Sequence, residues 1–299
     1  MTQFRSGYVA LIGAANVGKS TLLNQILEQK ISITSPKAQT TRNRVQGILT
    51  RSGFQMIFLD TPGILKAQDS FNKILMRTAL STLQEVDAIC FLIEAGEAHR
   101  GINEYVLQFL RGIDTPVVLA INKIDLIRKV ELLPIIDRYR ALHPFRAIIP
   151  ISALQGDGIR ELLDELSAYL PEGPQYYPED SLTDQPERFL VAELIREKVF
   201  HFTHHEIPYA VAVTIEDFRE DEALQRIDIE ATIHVERQSQ KGILIGKNGE
   251  MMKQIGMHAR QDIELLLGCH VFVGLHVRVQ KNWRKDPRAL ARFGFEVKA

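Results

Sequence analysis

The chain has 299 residues, 45% of them apolar and 24% charged. These are ordinary globular values and exclude a disordered chain, a collagen and a coiled-coil rod. Its 36 Lys and Arg against 37 Asp and Glu leave a net charge of −1, so global charge points to no class of partner. Two cysteines, Cys90 and Cys269, make no disulfide framework and fit a reducing cytosol. The first residues, Met1-Thr-Gln-Phe-Arg-Ser-Gly7, lack the apolar core of a signal peptide. No apolar run approaches the ~18 residues of a membrane-spanning helix.

In chain order, Tyr8–Ile12 is a short apolar strand and Ser20–Glu28 has helical spacing. Gly47–Thr50 and Gln55–Leu59 flank Arg51-Ser52-Gly53, a hairpin signal. Ala88–Ile93, Val117–Ile121 and Ala147–Ile151 read as buried strands, with helical patterns around 70–85, 101–112, 130–143 and 158–170. This alternation predicts an α/β domain with a mixed, mostly parallel sheet and helices on both faces. Pro171, Pro174, Pro178 and Pro186 then crowd a stretch that reads as an extended linker. Beyond it, Arg188–Phe202 is helical, Tyr209–Glu216 and Ile227–Glu236 alternate as strands, Met251–Leu267 is a helix and Val271–Val279 a strand. The order α-β-β-α-β predicts an α+β domain. The organisation is therefore a domain over 1–172, a linker over 173–187 and a second domain over 188–299.

Charge becomes informative once the chain is divided. Residues 173–236 hold 5 basic against 15 acidic side chains, and residues 237–299 hold 12 against 5. A basic C-terminal region suits nucleic acid or an anionic membrane surface.

Gly13-Ala14-Ala15-Asn16-Val17-Gly18-Lys19-Ser20 fits G-x-x-x-x-G-K-[ST], with a strand before it and a helix after. Chance gives this octapeptide in roughly one chain per hundred. Its glycines let backbone N–H groups turn toward phosphate oxygens, Lys19 neutralises the β and γ phosphates, and Ser20 ligates Mg²⁺. Asn16, Val17, Gly18 and Thr21 complete the cradle and the helix start. Asn122-Lys123-Ile124-Asp125 follows a buried strand. Asp125 can accept hydrogen bonds from guanine N1–H and the 2-amino group, donors that adenine lacks; facing adenine unpaired costs about 1–3 kcal/mol. Asn122 braces the loops, and the Lys123 stem covers the base. Asp60-Thr61-Pro62-Gly63 ends a strand, where Asp60 can hold Mg²⁺ through water and the Gly63 N–H can meet a γ-phosphate. Thr40 and Thr41, within the polar segment Thr34–Arg44, are the candidates for a switch contact to Mg²⁺ and γ-phosphate, with Thr41 favoured. Ser152-Ala153-Leu154 can place a backbone N–H on the guanine carbonyl. The expected catalytic set is Lys19, Thr41, Asp60 and Gly63; the expected metal ligands are Ser20, Thr41 and Asp60. Ile64 follows Gly63 and cannot orient a water molecule.

Gly246-Lys247-Asn248-Gly249 precedes the helix near Glu250 and fits G-x-x-G, a loop that clamps nucleic-acid phosphates, with flanking strands giving an apolar groove. Lys253, Lys281 and Arg284 add charge. Trp283 is read two ways, as a ring stacked on a base or as packing for the last helix. His201, His204 and His205 read as a solvent-facing helix end, Cys90 and Cys269 as core fillers, and Glu216-Asp217 with Glu220-Asp221-Glu222 as a solvated turn.

The five nucleotide segments, in this order, resemble the translation-factor branch of P-loop GTPases, and Asn16 resembles a potassium-stimulated class. The second domain resembles a type II KH domain. Together with Tyr176-Tyr177-Pro178, Glu193–Lys198, Ile207-Pro208-Tyr209 and Asn282-Trp283-Arg284, nearly the whole chain resembles the Era family of bacterial GTPases. Ala14-Ala15 departs from the Arg-Pro common at that point in the family. The resemblance implies GTP and GDP as ligands, Mg²⁺ and K⁺ as ions, and a slow intrinsic GTPase. It also implies binding near the 3′ end of 16S ribosomal RNA, a role in 30S subunit assembly, and a cytoplasmic monomer with a peripheral inner-membrane association. The residue reading leaves two other classes open: an RNA-binding scaffold with a static nucleotide, and a membrane-linked signalling GTPase.

Overall fold

The computed structural model describes residues 4–65, 69–96, 100–221 and 225–295. The chain forms two compact units. The first comprises Met1–Ser32 and Thr41–Asp184; the second comprises Ile33–Thr40 and Gln185–Ala299. The short segment Ile33–Thr40 therefore belongs to the second unit, although it lies inside the first in sequence.

In the first unit, strands β1 (Arg5–Gly13), β2 (Val45–Arg51), β3 (Phe54–Asp60), β4 (Ala88–Glu94), β5 (Val117–Asn122) and β6 (Ala147–Pro150) form one sheet of order β2-β3-β1-β4-β5-β6. Only β2 is antiparallel, through its hairpin with β3. The central strands are continuous apolar runs because both faces are covered, by α1 (Lys19–Leu27), α2 (Ser70–Ser81), α3 (Arg100–Leu110), α4 (Lys129–Leu142) and α5 (Ile159–Ser167). One core layer packs Ile12, Phe91, Leu119 and Ile121 against Val106 and Leu110 of α3. The strand order departs in opposite directions from β1, so a crevice opens at its carboxyl end, where such sheets bind ligands. Gly13 sits there.

The proline-rich stretch is not a free linker. Residues 173–184 fold onto the first unit. The Gln55 side chain, buried on β3, accepts from the Tyr176 and Tyr177 N–H groups at 2.7 and 3.0 Å and donates to the Tyr177 carbonyl at 2.9 Å. Ile48 N–H on β2 donates to the Leu182 carbonyl at 2.8 Å. β2 is an edge strand, and an unpaired edge is a template for aggregation. The stretch covers it.

In the second unit, β7 (Ala212–Asp221), β8 (Arg226–Val235) and β9 (His270–Val279) form a sheet of that order. β7 runs antiparallel and β9 parallel to β8. The inward face of β8 is Ile229, Ala231, Ile233 and Val235, which pack on α6 (Glu187–Phe202) and α8 (Glu250–Leu267). Three expectations are corrected. Gln238–Ile245 is a helix, α7, not a strand, so the order is α-β-β-α-α-β. Its start is set by Gln240, whose side-chain oxygen accepts from the Glu236 and Arg237 N–H groups at 3.0 Å each. The acidic residues from Glu216 to Asp221 lie in β7 rather than in a turn, with a register shift between Ile215 and Asp217; Glu222 lies outside the described residues. Trp283 is 0% exposed. Its Nε1–H donates to the Ala210 carbonyl at 2.9 Å, and its ring meets Phe293 edge-on and stacks on Phe295, beside α9 (Pro287–Arg292). A base cannot reach it.

His234 of β8 is buried, with Nε2 2.9 Å from Thr214 Oγ1 and its Nδ1 without a protein partner. Burial, reinforced by Arg292, lowers its pKa to about 4 despite Glu216. The fold thus holds it neutral, while the unfolded chain protonates it below about 6.5. Stability from this site is lost as pH falls from about 6.5 to 4, by roughly 2–3 kcal/mol. Urea unfolding at pH 7 and pH 4.5 should show the second unit losing more stability in the native chain than in His234→Gln.

Candidate nucleotide site and nucleic-acid interface

The loop after β1 turns tightly into α1. Gly18 has φ +102°, and a Cβ there would lie 2.2 Å from Asn122 Nδ2, so no other residue fits. Asn122 earns its burial by joining two loops: Nδ2 donates to the Val17 carbonyl at 2.7 Å, and Oδ1 accepts from Ala153 N–H at 2.9 Å. The Ser152 hydroxyl donates to Asp125 at 2.6 Å, holding an otherwise exposed carboxylate at the rim. Lys123 pairs with Glu94 at 3.1 Å. Leu154 is largely exposed beside them. Asn16 projects outward from the phosphate loop with φ +64°.

Lys19 is buried and donates to the Gly13 and Ala14 carbonyls at 3.2 and 2.8 Å. Burial lowers its pKa to about 8, against the pull of Asp60. Asp60 is also buried, and burial pushes its carboxyl above the usual range. Its Oδ2 accepts from Ser20 at 2.6 Å, Ser32 at 2.8 Å and Thr41 at 3.4 Å, while Ser20 and Thr41 lie 2.8 Å apart. Oδ1 is buried without a protein partner among the described residues. An orphaned carboxylate oxygen beside two hydroxyls is a donor set that suits a hard, oxygen-seeking cation such as Mg²⁺. Ser20, Thr41 and Asp60 would hold it.

Of the two threonine candidates, Thr41 reaches this cluster. Thr40 bonds instead to the Lys37 carbonyl at 2.7 Å. Sequence reasoning missed Ser32, since a lone serine after a helix carries no motif. Thr61 donates to the Leu11 carbonyl at 2.8 Å, Pro62 is buried, and Gly63 packs against Ala15 of the phosphate loop. Ile64 is 0% exposed; its N–H donates to the Gly13 carbonyl and its side chain joins the core. It plays no part in holding water. Thr21 is half-buried on the first turn of α1.

In the second unit, Gly246–Gly249 joins α7 to α8. Gly246, Asn248 and Gly249 have φ of +72°, +55° and +80°. A Cβ on Gly246 would lie 2.8 Å from Met251 Cβ. Lys247, Asn248, Lys253 and Lys281 are exposed, as is Ile243 beside the loop. Arg284 is engaged by Glu236 at 2.6 Å. β9 is an edge strand next to this loop's helices, so its outer backbone groups have no strand partner. His201 lies against the Thr34 carbonyl at 3.2 Å, and among the described residues no His, Cys, Asp and Glu cluster suits a metal. Among those residues, too, no helix is long and apolar enough to cross a membrane.

A phosphate loop and a guanine-type rim at the carboxyl end of a mostly parallel sheet, followed by a G-x-x-G loop between two helices, define a P-loop GTPase with a KH domain. Family models agree: a 50S ribosome-binding GTPase model matches residues 8–123 and a KH domain model residues 206–284. GTPase Era of Geotalea uraniireducens is 55% identical over 98% of this chain and 99% of its own. GTPase Era of Syntrophus aciditrophicus is 53% identical over 98% and 95%. A crystal structure of an Aquifex aeolicus Era variant bound to GDP·AlF₄⁻ matches with TM-score 0.95 and 42% identity, over 98% of this chain and 100% of that one. A second, of Era in complex with MgGDPNP and nucleotides 1506–1542 of 16S ribosomal RNA, matches with the same values. The chain belongs to the Era family of GTPases.

The Lys19 environment gives a signed expectation. Above pH 8 its amine is mostly neutral, and a polyphosphate restores the ammonium. Nucleotide binding at pH 8.5 should therefore take up a proton, seen as a calorimetric enthalpy that varies with buffer ionisation heat. The dependence should be weak at pH 6.5 and reduced in Lys19→Gln.

Proposed function

We propose that this protein is a GTP-dependent RNA-docking factor. It binds the 3′ end of 16S ribosomal RNA in its GTP form, assists assembly of the 30S subunit, and leaves after hydrolysis. The observation that carries the reading is a phosphate site with switch-type residues and a G-x-x-G loop on one chain. The relative described with MgGDPNP and 16S nucleotides supports the choice of RNA.

In this reading each residue of the site has a task. Gly13, Asn16, Val17, Gly18, Ser20 and Thr21 cradle the phosphates. Lys19 leaves the Gly13 and Ala14 carbonyls for the β and γ oxygens, where its charge offsets the charge developing on the leaving group. The Gly63 N–H approaches the γ-phosphate, with Thr61 and Pro62 fixing its loop. Asp125 reads guanine, the Ala153 N–H meets its carbonyl, and Ser152 and Leu154 shape the rim. Bound Mg²⁺ would neutralise phosphate charge. The exposed Asn16 is the residue that would meet a K⁺ ion. With Ile64 in the core, the attacking water is held by backbone, by a metal ion or by a partner, and unassisted turnover is slow. RNA phosphates meet the Gly246–Gly249 backbone, with Lys247, Lys253 and Lys281 supplying charge. The basic C-terminal region also suits a peripheral role at the inner face of the membrane.

GTP hydrolysis should be measured in potassium buffer with and without an RNA carrying the 16S 3′ end. The reading expects stimulation, lost in Gly246→Asp, and slower turnover in sodium. Equal RNA affinity with GDP and a non-hydrolysable analogue would overturn the switch, because a ligand with no preference between states shifts no equilibrium. Liposome binding that survives Gly246→Asp while RNA binding is lost would place the membrane role on a separate surface.

A further inference from the structure

Arg42 is only 2% exposed. An arginine is almost never buried so far unless a partner meets its guanidinium. One partner here is a ring: the guanidinium carbon lies 5.6 Å from the centroid of Phe71. A cation over an aromatic face is attracted by the ring quadrupole, most strongly where water is excluded. Phe71 is buried as well, as the second residue of α2. The start of that helix is fixed by Asp69, which accepts from the Asn72 N–H at 2.8 Å. Phe71, Leu75 and Ala79 recur at four-residue spacing on its buried face. The ring is therefore a firm support for the charge above it.

The neighbours of Arg42 touch two other places. Thr41 lies 2.8 Å from Ser20 and 3.4 Å from Asp60, in the cluster that suits Mg²⁺. Arg44 pairs with Glu85, just beyond α2, at 2.7 Å. Both of those side chains are exposed, so the outer pair contributes little, and the buried contact is the strong one. The loop that carries Gly63 starts at Asp60 and leads to α2. Its Gly63 backbone sits directly on the phosphate loop, where a Cβ would lie 2.6 Å from Ala15 Cα. Thr41 thus meets the first residue of this loop, and Arg42 meets the helix that follows it.

We propose that Arg42 is a positioning residue for GTP hydrolysis, holding Thr41 at the phosphate site through the ring of Phe71. It acts through Thr41 rather than on the phosphates. With the next residue anchored, the Thr41 hydroxyl can turn from Asp60 toward a metal and γ-phosphate while its backbone stays in place. The segment then need not be ordered at the moment of reaction. GDP has no γ-phosphate, so its binding gains little from this anchoring. The proposal rests on the reading of Thr41 as the Mg²⁺ and γ-phosphate contact.

The test uses the full chain in potassium buffer. It measures single-turnover GTP hydrolysis, and the Kd values of GDP and of a non-hydrolysable GTP analogue with and without Mg²⁺. Arg42→Gln should slow hydrolysis about ten- to a hundredfold, the range that a small misplacement costs. GDP affinity should stay unchanged, and the affinity that Mg²⁺ adds for the analogue should shrink. Phe71→Leu stays apolar but removes the ring, and it should give the same losses. The double variant should be no worse than either single one, since both break one contact. Arg42→Lys keeps a cation over the ring and should recover part of the rate. A wild-type rate in Arg42→Gln overturns the proposal. So does a loss in Arg42→Gln that Phe71→Leu does not share, because the guanidinium then acts elsewhere. A parallel fall in GDP affinity and melting temperature, unrelieved in Arg42→Lys, would leave Arg42 a structural residue only and overturns it too. Thr41→Ala separates the two readings. An unchanged rate there overturns the role of Thr41 itself; a reduced rate there, with a wild-type rate in Arg42→Gln, overturns the positioning alone.

Discussion

A single carboxylate oxygen organises the nucleotide site. Asp60 Oδ2 draws hydroxyls from Ser20 on α1, from Ser32 and from Thr41. A buried carboxylate is costly unless it is hydrogen-bonded, and three donors offset that cost. The same oxygen therefore ties together the first turn of α1, the end of β3, Ser32 and Thr41. Lys19 shares that burial, and two carbonyls of its own loop accept from its ammonium.

Arg196, Glu197 and Lys198, three adjacent charged residues buried on α6, show the same logic. Their helix has no apolar stripe with a polar reverse; buried residues run almost unbroken from Leu190 to Phe200. A helix covered all round is expected in a core, and here part of the cover is borrowed from a segment more than 150 residues earlier. The charges give that cover an address. Ile33 fixes its depth, Glu197 its first backbone N–H, and Arg196 its last carbonyl.

Much of this was legible in the sequence. The buried strands from Tyr8 to Ile151 announce themselves as apolar runs. The phosphate loop and Asn122–Asp125 are readable because glycine, lysine and aspartate at those spacings have few structural uses. What was illegible depended on tertiary partners. Gln238–Ile245 is eight residues long and ends in Ile-Leu-Ile, so about two turns of helical pattern could not outweigh its strand-like composition. Trp283 sits in a basic stretch that suggests RNA, yet its N–H finds Ala210, about 70 residues earlier. Ser32 and the α6 charges carry no local pattern at all. Gln55 looks like an ordinary polar strand residue, and only the fold reveals that it fastens the proline-rich stretch.

That fastening and the membership of Ile33–Thr40 in the second unit together change what counts as a domain along this polypeptide. A fragment ending at the first proline would strip the cover from β2 and leave Gln55 with nothing to hold. A fragment beginning at α6 would lack Ile33–Thr40 and expose buried charge. The two units are interleaved in the gene, and no single cut yields both intact. Insertion, fusion or recombination between them meets this barrier, so evolution can tune either unit but cannot readily exchange one without carrying a piece of the other.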